Sequence, residues 1–131
     1  MLMLPPSVQL LACTTPVDMR KSFDGLATAV EQVLGRDAMS GHVFCFFNRR
    51  ADHLRLLWWD RDGWMLLAKR LEKGRFQMPW HGQQGVQAGW PMESAELALV
   101  LQGVDIRGAR RLPRWRPKPA ENESEDAKKR V

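Results

Sequence analysis

The feature that most constrains the fold is a turn sequence between two apolar stretches in the middle of the chain. Residues 60–63 read Asp-Arg-Asp-Gly, a combination typical of tight β-hairpin turns in which the glycine supplies a left-handed conformation. The stretch before the turn, residues 53–59, reads HLRLLWW, and alternation places Leu54, Leu56 and Trp58 on one face of a strand. This pattern predicts a β-hairpin.

The neighbouring segments extend the predicted hairpin into an antiparallel meander. Residues 42–47 (HVFCFF) are rich in the aromatic and β-branched side chains that favour strands. Residues 64–71 (WMLLAKRL) have a composition that suits a helix, but their place directly after a tight turn favours a strand. Lys73-Gly74 allows a turn into residues 75–78, a predicted short edge strand that Pro79 stops.

The N-terminal part of the chain predicts one strand and one helix. Residues 8–13 form a short apolar stretch, the predicted first strand. Apolar residues between 23 and 34 recur at the spacing of a single helical face. Ser22 or Asp18 suits the start of this helix, and Gly35 suits its end.

The C-terminal part of the core predicts a loop and a second helix. Residues 80–91 are rich in Gly and Gln and predict a loop. Apolar spacing predicts a helix from about 93 to 102, which Gly103 ends. The predicted fold is therefore α+β, an antiparallel β-meander sheet of three to five strands with two helices packed on one face.

Charge divides the chain into three regions. The 131 residues suit one domain, and residues 1–106, the predicted domain, hold eleven basic and eleven acidic residues. Residues 107–118 hold six basic residues, no acidic residue and two prolines, which predicts an extended arm that either contacts nucleic acid or is a solvated linker. Residues 119–131 carry four acidic and three basic residues and predict a disordered tail.

The cysteines and histidines do not predict a metal site or a cofactor. Cys13 and Cys45 are the two cysteines, neither lies in a Cys-x-x-Cys motif, and the three histidines are scattered. A disulfide requires that the fold bring the two cysteines together. The sequence also contains no apolar stretch of membrane-spanning length. We therefore expect a cytoplasmic protein with reduced thiols and no membrane contact.

The carboxylates do not predict a catalytic site. Asp60 and Asp62 resemble the start of a calcium loop, but the further ligands of such a loop are missing. A cryptic metal-dependent nuclease would use this pair, yet one turn does not supply a full metal site. No phosphate-binding loop motif occurs in the chain. We therefore predict that the protein is not an enzyme, with no catalytic and no metal-binding residues.

The block from Arg49 to Arg75 is the main candidate for a binding surface. Arg and Lys alternate there with Trp and Leu on predicted strands. A face that exposed both would bind nucleic acid by neutralising phosphates and stacking on bases, and it would equally suit an acidic protein partner. A third interpretation is an amphipathic sheet whose charges serve only solubility.

Three segments resemble a known family. Pro16–Ala27, Gly41–Phe76 and Glu96–Arg107 are similar, in this order, to the TnpB accessory proteins (Orf2-like) of insertion-sequence-66-type bacterial transposons. The shared motifs include Pro-Val-Asp-Met-Arg-Lys at 16–21 and Asn-Arg-Arg at 48–50. One departure is Glu93-Ser94, where the family usually has Thr-Pro at the start of the second helix.

The resemblance implies a non-catalytic accessory role in transposition, beside a separate transposase. The implied partners are that transposase, the DNA of the element, or both, and a homo-oligomer is left open. The residues predicted to contact phosphates or acidic side chains are Arg20, Lys21, Arg49, Arg50, Arg55, Arg70, Lys73 and Arg75. The predicted stacking or partner anchors are Trp59 and Trp64. The predicted contacts of the arm are Arg110, Arg111, Arg114 and Trp115. A protein module that bridges transposase subunits without touching DNA is the alternative.

Overall fold

The fold consists of one five-stranded sheet and two helices, which confirms the predicted α+β class. A computed structural model describes residues 4–103. The predicted arm and tail lie outside the described residues. In chain order the elements are β1 (Leu10–Cys13), α1 (Phe23–Gln32), β2 (Val43–Phe47), β3 (His53–Asp60), β4 (Gly63–Arg70), β5 (Gly89–Met92) and α2 (Ser94–Leu101).

The strands form an open mixed sheet in the order β4-β3-β2-β1-β5. The meander of β2, β3 and β4 is antiparallel, as predicted. The structure corrects the prediction of a wholly antiparallel sheet, because β1 pairs with β2 in parallel. Helix α1 lies between these two strands in the chain, and such a crossover connection returns the chain to the end of the sheet where it began.

The two helices pack on opposite faces of the sheet, which corrects their predicted placement on one face. Successive strand residues point to opposite faces, and every residue of β1 and β2 is buried. Leu11 and Cys13 pack with Leu26 and Val30 of α1, on the α1 face. The alternate residues of β1 pack with α2, on the α2 face.

The fifth strand comes from the predicted loop, and not from residues 75–78. Residues 75–78 form no strand. Phe76 instead buries its ring against Phe47 at a centroid distance of 5.9 Å. Strand β5 pairs with β1 and carries Pro91, a residue that sheets tolerate only at an edge. The sequence did not predict this strand, because the segment contains Gly and Pro, which have low strand propensity.

The hairpin between β3 and β4 is the predicted one, with a different residue in the strained position. The paired residues run without a break from His53 and Arg70 to Asp60 and Gly63. The left-handed residue is Arg61, with φ of 55°, and not the predicted Gly63. Segment 64–71 is a strand through Arg70, as its position after the turn predicts.

The helix ends follow the predicted signals in part. Helix α2 begins after Glu93, which forms a capping box with Glu96 and so replaces the Thr-Pro start of the family. Gly103 follows the helix with φ of 83°. Ser22 stands at the start of α1 without a side-chain capping bond. Within residues 4–103 neither helix has the length and apolar character needed to cross a bilayer.

The two cysteines are free and buried. Cys13 belongs to the α1 face and Cys45 to the α2 face, so the sheet lies between the two thiols. Burial raises the pKa of each thiol above its usual value.

Candidate nucleic-acid interface

Three loops meet at the end of the sheet where β1, β2 and β4 finish and β3 begins. The amide of Val17 donates to the carbonyl of Phe47 at 2.9 Å, which ties the loop between β1 and α1 to the end of β2. The amides of Leu71 and Phe76 donate to the carbonyls of Asp52 and Ala51 at 2.8 and 2.6 Å. These backbone bonds fix the relative positions of the three loops. We call this part of the molecule the basic end.

The turn between β2 and β3 is organised by the side chain of Asn48. Its Oδ1 accepts from the amides of Asp52 and His53, both at 3.0 Å. Its Nδ2 donates to Asp52 Oδ1 at 2.6 Å. Asparagine at the start of a turn commonly bonds to the backbone in this way. Arg49 and Arg50 therefore project from a turn whose conformation is stabilised by the side chain of Asn48.

Seven of the predicted contact residues lie at the basic end, and all seven are exposed. They come from the loop between β1 and α1, from the Asn48 turn, and from the end of β4 with the loop after it. The seven are Arg20, Lys21, Arg49, Arg50, Arg70, Lys73 and Arg75.

Three of these cations have a carboxylate within ion-pair distance. Arg20 Nη2 lies 2.7 Å from Asp18 Oδ2, and Arg70 Nη2 lies 2.9 Å from Glu72 Oε2. The third contact, from Arg50 Nε to an oxygen of Asp52, is 4.0 Å long. Such exposed pairs are worth at most about 1 kcal/mol, so a phosphate competes with them readily. Within the described residues, the other four cations form no ion pair within 4.0 Å.

Arg20 and the two turn arginines line one groove of about 580 Å³, between residues 16–20 and 48–50. Asp18 lies in the same groove, and its carboxylate accepts hydrogen bonds from Nε and Nη2 of Arg20 at 2.7–3.1 Å. These hydrogen bonds, aided by the charge of Arg20, lower the pKa of Asp18 to about 2. The groove therefore presents cations at a fixed position, with one carboxylate that stays ionised near neutral pH.

Arg55 lies apart from the exposed cations, half-buried on β3. Its Nη1 donates to the backbone carbonyl of Lys21 at 2.5 Å, which ties the loop before α1 to the sheet. Its Nε is buried and has no partner among residues 4–103. The guanidinium of Arg55 therefore stabilises the position of the loop that carries Lys21 at the basic end.

The two predicted anchor rings lie at the opposite end of β3. Trp59 and Trp64 are directly paired across the hairpin, with ring centroids 5.0 Å apart and planes at 75°. Both rings are half-buried on the α1 face. The Cα atoms at the two ends of β3, His53 and Asp60, lie roughly 23 Å apart at about 3.3 Å per residue. One copy of the chain therefore does not combine these rings with the cations of the basic end.

Comparison with known proteins assigns the chain to a family. The family model described as IS66 Orf2-like protein matches residues 8–111. The chain belongs to the IS66 Orf2-like family. The match includes the whole described sheet, both helices and all three loops of the basic end.

Two relatives of this Orf2-like chain come from Sinorhizobium fredii (strain NBRC 101917 / NGR234). The uncharacterized protein y4hO is 36% identical over 117 residues, which cover 88% of this chain and 96% of the relative. The uncharacterized protein y4jC is 33% identical over 117 residues, 88% of this chain and 97% of the relative. No solved structure matches the chain.

The remaining features of the Orf2-like chain concern its chemistry. Within residues 4–103, no group of three or more His, Cys, Asp or Glu side chains is arranged to hold a metal ion. Asp60 and Asp62 flank Arg61 at the tip of the hairpin, where Arg61 Nε lies 3.9 Å from Asp60 Oδ1. The predicted arm contacts Arg110, Arg111, Arg114 and Trp115 lie outside the described residues.

Sequence reasoning did not predict the roles of two residues that shape the candidate interface of this family member. Asn48 builds the turn that carries two of the arginines, and Asp18 fixes the guanidinium of Arg20. The Asn-x-x-x-Asp spacing of residues 48 and 52 was the available signal for the first. Asp18 and Arg20 carried no comparable signal, because a pair two residues apart meets only in a particular loop conformation.

Proposed function

We propose that this Orf2-like protein is a non-catalytic accessory factor in transposition that contacts the DNA of its element through the basic end. The observation that supports this proposal is the meeting of three cation-bearing loops at one end of the sheet. Seven exposed basic residues stand there with three paired carboxylates, Asp18, Asp52 and Glu72. The excess positive charge suits a polyanion.

The physical basis of the contact is the neutralisation of phosphates. Lys and Arg side chains at a DNA backbone release condensed counterions, and this release supplies much of the binding free energy. Arg adds a planar fork that fits phosphate oxygens. A groove with Arg20, Arg49 and Arg50 along its walls offers such forks from two segments. Contacts of this kind position a protein on DNA without reading its sequence.

The arm of residues 107–118 extends the proposal beyond the described residues. Its six basic residues and Trp115 suit additional phosphate contacts and base stacking. The residues assigned to this contribution are Arg110, Arg111, Arg114 and Trp115.

The test is a DNA-binding titration with two variants of equal net charge. Arg49→Ala with Arg50→Ala removes two cations from the basic end. Arg36→Asp lowers the net charge by the same two units outside it, at a residue that approaches Gln9 just before β1. Anisotropy is measured on fluorescent element-end duplex and on an unrelated duplex, across a range of salt concentrations.

We expect the first pair to weaken binding to both duplexes and to lower the salt slope by about 2, since each neutralised phosphate contributes about 0.9. The control variant should retain nearly the wild-type slope. No binding by the wild-type chain at low salt, or equal losses for the two variants, would contradict the proposal.

A second candidate function, binding to the transposase, is favoured by the Trp59–Trp64 pair. The two half-buried rings lie far from the basic end, and tryptophan is enriched among the residues that dominate protein interfaces. We expect Trp59→Ala to abolish co-purification with purified transposase of the same element in nuclease-treated samples, while Trp59→Phe largely retains it. Equal retention by both variants would assign the transposase contact to another surface.

A further inference from the structure

The two edges of the sheet differ in how well they resist pairing with another strand. Strand β5 has four residues and contains Pro91, which cannot donate a backbone hydrogen bond. Strand β4 has eight residues, no proline and an unbroken register with β3. A long edge without such protection is a template for a further strand. Within residues 4–103 no strand pairs with the outer edge of β4.

Exposed apolar side chains lie on this same strand. Met65 and Leu67 are 45% and 39% exposed. They pair with Trp58 and Leu56, and therefore stand on the α2 face. Single exposed apolar residues are common, but two on consecutive same-face positions of an open edge strand gain burial if another strand pairs there.

The charges along β4 make the strand complementary to an antiparallel copy of itself. Asp60, Arg61 and Asp62 give its hairpin end a net charge of −1, and Lys69, Arg70 and Glu72 give its other end a net charge of +1. An antiparallel copy places each acidic end beside a basic end. A parallel copy would place like charges together, which destabilises cross-strand pairs.

The pleat of the sheet restricts the register of such a pair. Directly opposed residues share a face, so a two-fold axis normal to the sheet passes midway between one residue and the same residue of the partner. An axis at Leu66 places Met65 opposite the partner's Leu67 and Asp62 opposite the partner's Arg70. An axis at Leu67 places Asp62 opposite the partner's Glu72, a repulsive pair. Of these two registers, the first is favoured.

We propose that the outer edge of β4 is a docking site for a second copy of this chain, paired antiparallel about a two-fold axis at Leu66. Self-complementary patches of this kind are the usual basis of symmetric dimers. The result is a continuous ten-stranded sheet. The inference does not depend on the proposed function.

The dimer brings the separated tryptophans and cations together. In this register Trp64 stands opposite the partner's Ala68 on the α1 face, next to the partner's Arg70. The hairpin end of each copy therefore adjoins the basic end of the other. Cations and indole rings that lie far apart in one copy become neighbours across the two-fold axis.

The test uses charge reversals at the Asp62–Arg70 contact, measured by sedimentation equilibrium of the full chain without DNA. Wild-type protein should dimerise. Asp62→Arg and Arg70→Asp each create two repulsive contacts per dimer, and each should raise the dissociation constant at least about tenfold. Glu31→Arg and Arg36→Asp, exposed changes of the same charge away from β4, should leave dimerisation unchanged.

A mixture of the two interface variants distinguishes the proposed contact from misfolding. Asp62→Arg mixed with Arg70→Asp restores an attractive pair at both contacts of a mixed dimer, so the mixture should associate about as well as wild type. Three results would overturn the proposal. They are a wild-type chain that stays monomeric, as it would if its own C-terminal segment covered β4, single variants that dimerise normally, and a mixture that fails to associate.

Discussion

The two ends of β3 are held in different ways. At the basic end, three loops are joined by backbone hydrogen bonds and by the side chain of Asn48. At the hairpin end, two residues turn the chain, and the contact of the Trp59 and Trp64 rings stabilises the turn. Directed hydrogen bonds position the exposed arginines, whereas the hairpin depends on less directional ring packing. We therefore expect mutations at the two ends to differ in how much they lower the stability of the chain.

The largest expected effect is at Asn48. Replacing Asn48 with Ala removes three hydrogen bonds and leaves the amides of Asp52 and His53 without their acceptor. We expect a loss of about 2–3 kcal/mol in the free energy of unfolding, measured by urea denaturation. Weaker DNA binding by the folded variant should accompany it. A smaller loss in the free energy of unfolding than that of Trp59→Ala would show that the hydrogen bonds of the basic end do not stabilise the chain more than the ring contact of the hairpin end.

A smaller effect is expected at the hairpin rings. Trp59→Ala should cost about 1–2 kcal/mol, since it removes a half-buried ring and an edge-to-face contact. The double change of Trp59 and Trp64 to Ala should cost less than the sum of the two single changes, because the contact is lost only once. Near-UV circular dichroism reports the ring pair directly. Strict additivity would show that the rings act independently.

Acid should loosen the basic end through Asp18. Its pKa of about 2 in the folded chain lies below the value of about 3.9 in an unfolded chain. Its contribution to stability is therefore complete above about pH 4 and is lost as the pH falls toward 2. Wild type should be more stable than Asp18→Asn at pH 5, and the difference should disappear near pH 2. A difference that is constant with pH would exclude the Arg20 pair as its cause.

The smallest effect is expected at the hairpin turn. Arg61 has φ of 55°, a conformation that costs most residues about 1 kcal/mol and glycine almost nothing. Glycine also gains entropy in the unfolded chain, which offsets part of this relief. Arg61→Gly should therefore raise the midpoint of thermal unfolding slightly. A lower midpoint would show that the Arg61 side chain supports the hairpin.

The sequence predicts the local elements of this fold better than their arrangement. The apolar periodicity of α1 and the hairpin at residues 60–63 are local signals, and both elements are present. The parallel pairing of β1 with β2 depends on the path of the crossover, which no local pattern specifies. The fully apolar segment 43–47 did contain a signal for burial on both faces, because a strand covered on one face alternates.

The candidate site shows the same division. Clustering of cations around Arg49 and Arg70 follows from the meander, since the turn after β2 and the end of β4 must lie at one end. The separation of the tryptophans from those cations also follows, because the eight residues of β3 lie between the two groups. The inward position of Arg55 was not predictable, because its partner is a backbone carbonyl of a distant loop.

The position of the cysteines has a consequence for how this protein responds to oxidation. Cys13 and Cys45 are buried on opposite sides of the central strands, so joining them would require the sheet to come apart. The folded chain therefore does not form a disulfide between these two cysteines, whatever the redox state of its surroundings. The rate at which a thiol reagent modifies the two sulfurs accordingly measures how often the centre of the molecule opens.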